Sequence, residues 1–249
     1  MQFSKICLIT FLLYFCKNSE GKIINNVIPG YSVAGVENAV AEQDRDNYRP
    51  CPYYDLLCIR RYLSKHSNCK IALGPVPDPV YRDQSNLYFP TFKMSVTMNG
   101  LTIGGLNGVI REFYANRKDD LTILAVEFTN VTVVSNTAVF QYQRPGREPV
   151  VTNSSTNEFY PSFITTTVFR GVQHLDLANS ETTAFLSTQP AIRIDPSAGV
   201  APDPAIAPRY AVFLASIGVV AAETFMTTSV YYAATYIQYD VCDFGLRVN

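Results

Sequence analysis

The chain has 249 residues and a formal net charge of −1, and 47% of its residues are hydrophobic. This length and composition suffice for one sizeable core. Because the chain is nearly neutral and has no lysine and arginine cluster, the sequence argues against nucleic-acid binding and gives no reason to expect an anionic membrane as a partner.

The first 21 residues predict a secretory signal peptide. Lys5 provides a sparse basic start, and the apolar run Ile6–Cys16 has the length of a signal-peptide core but is too short to span a bilayer. Cleavage soon after this run would remove Cys7 and Cys16 from the mature chain.

The mature chain is predicted to consist of an arm and one domain. Residues 22–47, with their asparagines, glycines and acidic side chains, predict a flexible N-terminal arm, and residues 48–249 predict a single secreted domain. The domain retains an even number of cysteines: Cys51, Cys58, Cys69 and Cys242. Zinc sites usually need short C-x2-4-C pairs with a fourth ligand nearby, which are absent, so we expect disulfides. Among the three possible connectivities we favour Cys51–Cys58 and Cys69–Cys242.

The first regular element of the domain is predicted to be a helix over residues 52–66. Tyr53, Leu56 and Leu63 recur at helical spacing, and Pro52 suits a first helical turn. The proline-rich segment 72–83 cannot continue the helix and is expected to lead into extended chain.

The middle of the chain predicts a meander of long antiparallel strands. Apolar and polar residues alternate over 91–98, and Asn99-Gly100 is a turn signal. The segment 108–120 fits either a strand or one helical turn. Further strands are predicted at 101–103, 121–129, 131–143, 163–171, 172–177 and 183–188.

The C-terminal region contains a long apolar run. From Arg209 to Tyr239 the only charge after the first residue is Glu223. A transmembrane helix fits the length, but Glu223, the many serines and threonines and Cys242 just beyond favour a helix buried on nearly all sides. The predicted fold is therefore α+β: a long apolar C-terminal helix wrapped by a strongly curved antiparallel sheet, with a disulfide-linked short N-terminal helix and no stable membrane insertion.

Two sequons fit a secreted protein. Asn130 begins Asn-Val-Thr and Asn153 begins Asn-Ser-Ser, and both can accept N-glycans if they are exposed. We expect glycosylation at both, with Asn153, inside a polar stretch, as the stronger candidate.

The sequence contains no recognisable catalytic, metal or cofactor motif. G-x-S-x-G, H-E-x-x-H and C-x-x-C are absent, and His66 is best explained as a polar helix residue. Asp176 would share a strand face with His174, but no nucleophile accompanies them. The glycines of 104–108 lack a following Lys-Ser/Thr, so a bend in the sheet explains them better than a phosphate site. We predict no enzyme activity, no cofactor and no metal.

The cysteine pattern resembles that of the fibrohexamerin family, the small glycoprotein subunits of moth and butterfly silk fibroin. The resemblance lies in the YRPC opening at 48–51, the cysteine spacing, the strand at 90–93 and the Cys242-Asp-Phe-Gly ending. Leu246 stands where the family has a further cysteine, which is typical of a paralogue. The resemblance implies a protein of the silk-gland lumen that binds fibroin heavy and light chains non-covalently and keeps them soluble and assembled during secretion.

A second, weaker resemblance is to the juvenile-hormone-binding and takeout group of insect lipid carriers. It rests on the bridged N-terminal helix, the P-D-P segment, the run N-G-L-T-I-G-G-L-N at 99–107 and the apolar C-terminal helix. It implies, as an alternative, an extracellular carrier of a small hydrophobic ligand. An open apolar cavity would favour the carrier, and an interior filled by Tyr and Phe would favour the assembly protein.

Overall fold

The computed structural model describes residues 46–195, 204 and 206–245. The predicted leader and all but the last two residues of the predicted arm lie outside this part of the chain. The described residues form an α+β domain of antiparallel strands and three α-helices. The helices are α1 (Leu56–His66), α2 (Ala207–Ala215) and α3 (Ile217–Tyr236), and a π-helical turn (Ile237–Val241) follows α3.

Eight of the described strands form one antiparallel sheet, and two form a small second sheet. The large sheet contains β1 (Asn47–Tyr48), β3 (Val80–Phe89), β4 (Met94–Gly104), β5 (Val109–Asn116), β6 (Leu121–Arg144), β7 (Arg147–Arg170), β8 (Glu181–Leu186) and β9 (Ala191–Ile194). The small sheet pairs β2 (Lys70–Ile71) with β10 (Cys242–Asp243).

The centre of the large sheet is the pair β6 and β7, each 24 residues long. The edge of β6 that faces away from β7 pairs with β5 along its first part and with β4 along its second part. Strand β3 pairs with β4 and continues the sheet beyond it. The free edge of β7 pairs with β8 and β9. The segment 108–120, which the sequence left open between strand and helix, is therefore mostly strand β5.

The predicted turn at Asn99-Gly100 is wrong, because β4 continues through both residues. Gly100 adopts φ +59°, and the buried positions change phase there: Met98 is buried, and the next buried residue is Leu101. Since β3 and β6 hold β4 on both edges before and after Gly100, the sheet absorbs the left-handed residue as a local irregularity.

The predicted strand at 172–177 is also wrong. Gly171, at φ +70°, ends β7, and a 3-10 turn (Val172–His174) follows. The backbone amide of Val172 donates to the carboxylate of Asp120 at 3.0 Å, which holds the chain in this turn. His174 and Asp176 therefore do not share a strand face, and Asp176 instead accepts from the backbone amide of Ala178 at 2.9 Å.

Helix α1 begins at Leu56 rather than at the predicted Pro52. The side chain of Asp55 accepts a hydrogen bond from the backbone amide of Cys58 at 2.9 Å and caps the helix. Tyr54, just before the cap, has φ +62°, which is incompatible with a helix over these residues.

The apolar C-terminal run forms two helices instead of one. The break lies at Ser216, whose hydroxyl donates to the carbonyl of Val212 at 2.8 Å, a contact that bends helices. No single described helix is long and apolar enough to cross a membrane; only α2 taken together with the segment Ile217–Val241 meets that test by length and composition, with a bend of 74° between them.

The expectation of burial on nearly all sides holds only for the last part of α3, where none of residues 231–236 is exposed; before that, α3 is buried on one face. Phe225 and Tyr232 are buried, whereas Val219, Met226 and Val230 are exposed. The exposed residues share one helix face, on which Glu223 also lies. The core is aromatic: the ring of Phe163 in β7 lies 4.7 Å from that of Phe225 and 5.9 Å from that of Tyr232.

Candidate functional site

The first described strand is joined to α1 by two tyrosines. The hydroxyl of Tyr48 lies 2.5 Å from that of Tyr62, and the guanidinium of Arg117 lies 4.3 Å from the Tyr48 ring centre. Burial opposes ionisation of Tyr48, but the hydrogen bond to Tyr62 and the charge of Arg117 outweigh burial and lower the pKa of Tyr48. Burial, reinforced by Tyr48, raises the pKa of Tyr62. Tyr48 is thus the more acidic hydroxyl of the pair, and either hydroxyl can donate while both are neutral.

Arg49, the second residue of the YRPC run, lies between two tyrosine rings. Its guanidinium carbon is 3.3 Å from the ring centre of Tyr53 and 4.7 Å from that of Tyr114. Its Nη2 donates to the carboxylate of Glu112 at 2.7 Å. Because Glu112 and Tyr114 belong to β5, Arg49 fixes the segment before α1 to the sheet. Sequence reasoning assigned this arginine no role of its own, although its place inside the YRPC run was a signal.

The four cysteines are joined as Cys51–Cys58 and Cys69–Cys242. The first bridge joins Cys51, which precedes α1, to Cys58 in the first turn of α1. The second connects the chain after α1 to β10, at the other end of the described residues, and accompanies the β2–β10 pairing. These are the two pairings that the sequence favoured.

An ion pair reinforces the connection between α1 and the C-terminal segment. Arg60 Nη2 donates to Asp240 Oδ1 at 3.1 Å, and Arg60 Nε donates to the backbone carbonyl of Asp240 at 2.5 Å. Burial raises the pKa of Asp240, and the positive charge of Arg60 partly opposes this rise. Two residues 180 positions apart are thereby held together.

A half-buried carboxyl lies between the sheet and α3, beside a cavity of about 30 Å³. Glu158 in β7 lines this cavity together with Arg82, Tyr160, Thr228 and Tyr232. Tyr160 donates its hydroxyl hydrogen to Glu158 Oε2 at 2.6 Å. Burial raises the pKa of Glu158, and the hydrogen bond from Tyr160 only partly offsets this.

Sequence reasoning did not single out Glu158, although a signal existed. Along β7 the residues at positions 154, 156 and 160 are buried, so residue 158 lies on the inward face of an alternating strand. A second cavity, of about 40 Å³, lies beside the first and shares Glu158 in its lining. Each cavity is large enough for only one or a few water molecules.

The two sequon asparagines are both exposed. Asn153 lies in β7 opposite Val139, and Asn130 lies in β6 with φ +57°. The predicted acceptor side chains are thus accessible on the strands of the large sheet.

The glycines of 104–108 form a bend, as the sequence indicated. Gly105 has φ +83°, and a Cβ atom there would lie 2.9 Å from the carbonyl oxygen of Asn130. Its amide donates to Asp78 Oδ1 at 3.1 Å.

His66 lies at the end of α1 with its ring 4.6 Å from that of Tyr62. Among the described residues no group of three or more His, Cys, Asp and Glu side chains is placed to hold a metal ion.

Comparison with known proteins identifies the family. The Fibroin P25 family model matches residues 47–246. Fibrohexamerin of Galleria mellonella is 29% identical over 201 residues, which are 80% of this chain and 89% of that protein. Takeout 1 of Epiphyas postvittana, a solved structure, is 12% identical, with a TM-score of 0.48 over 76% of this chain and 91% of that chain.

The family match confirms the resemblance read from the YRPC opening, the cysteine spacing and the Cys-Asp-Phe-Gly ending. It begins one residue before Tyr48 and covers nearly all of the described residues. The chain belongs to the Fibroin P25 family.

Proposed function

We propose that this protein is a secreted, silk-associated glycoprotein that binds fibroin heavy and light chains non-covalently and supports their assembly, solubility and secretion. The observation that carries this proposal is the family match over residues 47–246. The role is one of binding rather than catalysis. The signal-peptide pattern of the first 21 residues and the two disulfides support secretion into the silk-gland lumen.

The filled interior supports an assembly role over a carrier role. Cavities that hold a drug-sized ligand typically measure about 300–1,000 Å³. The two cavities between the sheet and α3 measure about 30 and 40 Å³. Phe163, Phe225 and Tyr232 fill the adjoining space. A carrier of a hydrophobic small molecule would need these rings to move apart.

The wrapping of α3 by a strongly curved sheet remains a prediction, which the lining of the first cavity supports. Ser85 of β3 and Ile192 of β9 both line this cavity, together with Thr224 and Thr228 of α3. In the sheet, β3 is separated from β9 by β4, β6 and β7. Strands so far apart reach one small cavity when the sheet bends around the helix.

The test of the assembly role is native mass spectrometry of the protein purified from its secretory tissue without reducing agent. We expect a stoichiometric complex with fibroin heavy and light chains that dissociates in denaturant without a reductant. A monomer that carries a lipid-sized adduct would overturn the proposal in favour of the carrier.

The glycoprotein part of the proposal has its own test at Asn130 and Asn153. Asn130→Gln and Asn153→Gln should each remove one N-glycan, seen as a mass loss of the secreted protein. Thr132→Ala and Ser155→Ala keep each asparagine but remove the sequon hydroxyl, so each should reproduce the loss. An unchanged mass in an Asn→Gln variant would reject glycosylation at that site.

A further inference from the structure

The loop closed by the Cys51–Cys58 bridge exposes large apolar side chains. We call residues 51–58 the aromatic loop. Tyr53 is 52% exposed, Tyr54 is 57% exposed and Leu57 is 52% exposed, all within five consecutive positions. Tyrosine is enriched at the centres of protein interfaces, because its ring supplies a large contact area with few rotatable bonds.

The backbone of the aromatic loop is held in a conformation that a tyrosine rarely adopts. Tyr54 has φ +62°, in the left-handed region that disfavours bulky side chains. The loop is closed by the disulfide, and the amide of Leu56 donates to the carbonyl of Tyr54 at 3.1 Å. Strain of this kind persists where the surrounding structure enforces it, and it concentrates at functional sites. The strained residue here, Tyr54, has an exposed ring and does not pack in the core.

Arginines fix the orientation of both exposed rings. Arg49 lies 3.3 Å from the ring centre of Tyr53. The guanidinium of Arg111 lies 5.6 Å from the ring centre of Tyr54, and its Nη1 donates to the Tyr54 hydroxyl at 3.3 Å. The two rings lie 6.1 Å apart. The loop therefore presents a preorganised aromatic surface, which lowers the entropy lost on binding.

The two arginines that contact the rings are each paired with a carboxylate. Arg49 forms an ion pair with Glu112, and Arg111 forms one with Glu127. Neither arginine has an unpaired charge to offer to an acidic partner, so the surface is complementary to an uncharged apolar segment.

We propose that the aromatic loop is the surface through which this protein contacts an uncharged segment of a fibroin chain. This inference rests on the proposed function and adds the contact surface and the chemistry of the segment that it fits. Tyr53, Tyr54 and Leu57 would become buried in the complex, while the ion pairs Arg49–Glu112 and Arg111–Glu127 would remain intact.

Tyr54→Gly is the decisive variant, because it removes the ring and relieves the left-handed strain. We expect affinity for the purified heavy–light fibroin complex to fall about tenfold or more, while the unfolding temperature of the free protein stays equal or rises. Leu57→Ala, which leaves the arginine contacts in place, should also weaken binding with no loss of folding. Tyr81→Ala is the matched control, because Tyr81 is 70% exposed on edge strand β3 and should bind as the wild type does.

Salt provides a second measurement on the wild type. Raising ionic strength from about 0.05 to about 0.5 M should change the affinity by less than about threefold, because the contact is apolar. Wild-type binding with unchanged affinity in Tyr54→Gly and Leu57→Ala would reject the loop as the contact surface and leave the proposed function standing. No binding by the wild type would reject both. A steep fall with salt would show an ionic contact instead and overturn the inference.

Discussion

Gly74 lies against the ion pair of Arg60 and Asp240, and its amide donates to the carbonyl of Tyr239 at 2.8 Å. A Cβ atom at position 74 would overlap Asp240 Oδ1 and lie 2.8 Å from Arg60 Nη2, and φ is +43°. We expect Gly74→Ala to lower the free energy of unfolding by about 3 kcal/mol or more, because it adds left-handed strain and displaces the buried carboxylate of Asp240. Urea unfolding measures this loss.

Gly100 provides the control for that substitution. Its φ is +59°, but a Cβ atom there meets nothing within 4 Å. Gly100→Ala should therefore cost only the left-handed penalty of about 1–2 kcal/mol. Equal losses for the two variants would show that the Asp240 contact does not restrict position 74.

Glu158 should make the folded protein less stable as the pH rises, whereas a salt-bridged carboxylate makes a protein less stable as the pH falls. Burial raises its pKa above the ordinary value of 4.5, so the folded protein keeps this proton to a higher pH than the unfolded chain does. The protonated carboxyl stabilises the folded protein fully below about pH 4.5. This contribution is lost as the pH rises through the folded-state pKa, and it amounts to about 1.4 kcal/mol for each pH unit between the folded-state and unfolded-state pKa values. Glu158→Gln should be more stable than the wild type at neutral pH, and the difference should shrink in acid.

The measurement is urea unfolding of both proteins across the acid-to-neutral range. Asp240 also has a raised pKa, but it is present in both proteins and cancels in the difference. Asp83→Asn, at an exposed position of β3, should give a small difference without this slope. Parallel stability curves for the wild type and Glu158→Gln would contradict the prediction.

Adjacent residues of α3 allow its buried and exposed faces to be compared. Phe225 is fully buried, whereas Met226 is 49% exposed. Phe225→Ala should lower the free energy of unfolding by about 3–5 kcal/mol, because it leaves a cavity beside Phe163 and Tyr160. Met226→Lys should change it by less than about 0.5 kcal/mol. A large loss for Met226→Lys would contradict the exposure of this face.

Local patterns predicted most elements but not the points where the chain changes direction. Alternation located β4 from Met94 onward, because that strand has one buried face, but the strand expected at 90–93 is wrong, since Pro90–Phe92 form a 3-10 turn. Helical spacing located α1. Asn99-Gly100 misled because a turn signal does not reveal whether neighbouring strands hold both edges of the chain. The break at Ser216 was missed because every residue around it is apolar or small, so neither charge nor proline marks the change of direction.

Over the whole molecule, what escaped sequence reasoning was the set of contacts between distant residues. The pairing of Arg49 with Glu112 spans 63 positions, and that of Arg60 with Asp240 spans 180. Arginine and acidic residues are common in the chain, and their spacing does not select partners. The pairing of the four cysteines of the domain could be predicted, because four cysteines allow only three connectivities.

The long disulfide should contribute more to the stability of the whole domain than the short one. In the loop-entropy model, a closure of 173 residues stabilises by about 5 kcal/mol and a closure of 7 by about 2.5 kcal/mol. The Cys69→Ser/Cys242→Ser variant also frees the β2–β10 pairing, so it should lose more stability in urea than Cys51→Ser/Cys58→Ser. Its secretion should fall accordingly, since marginally stable proteins are retained and degraded. Equal losses for the two double variants would show that β10 stays in place without the bridge, held by Arg60 and Asp240.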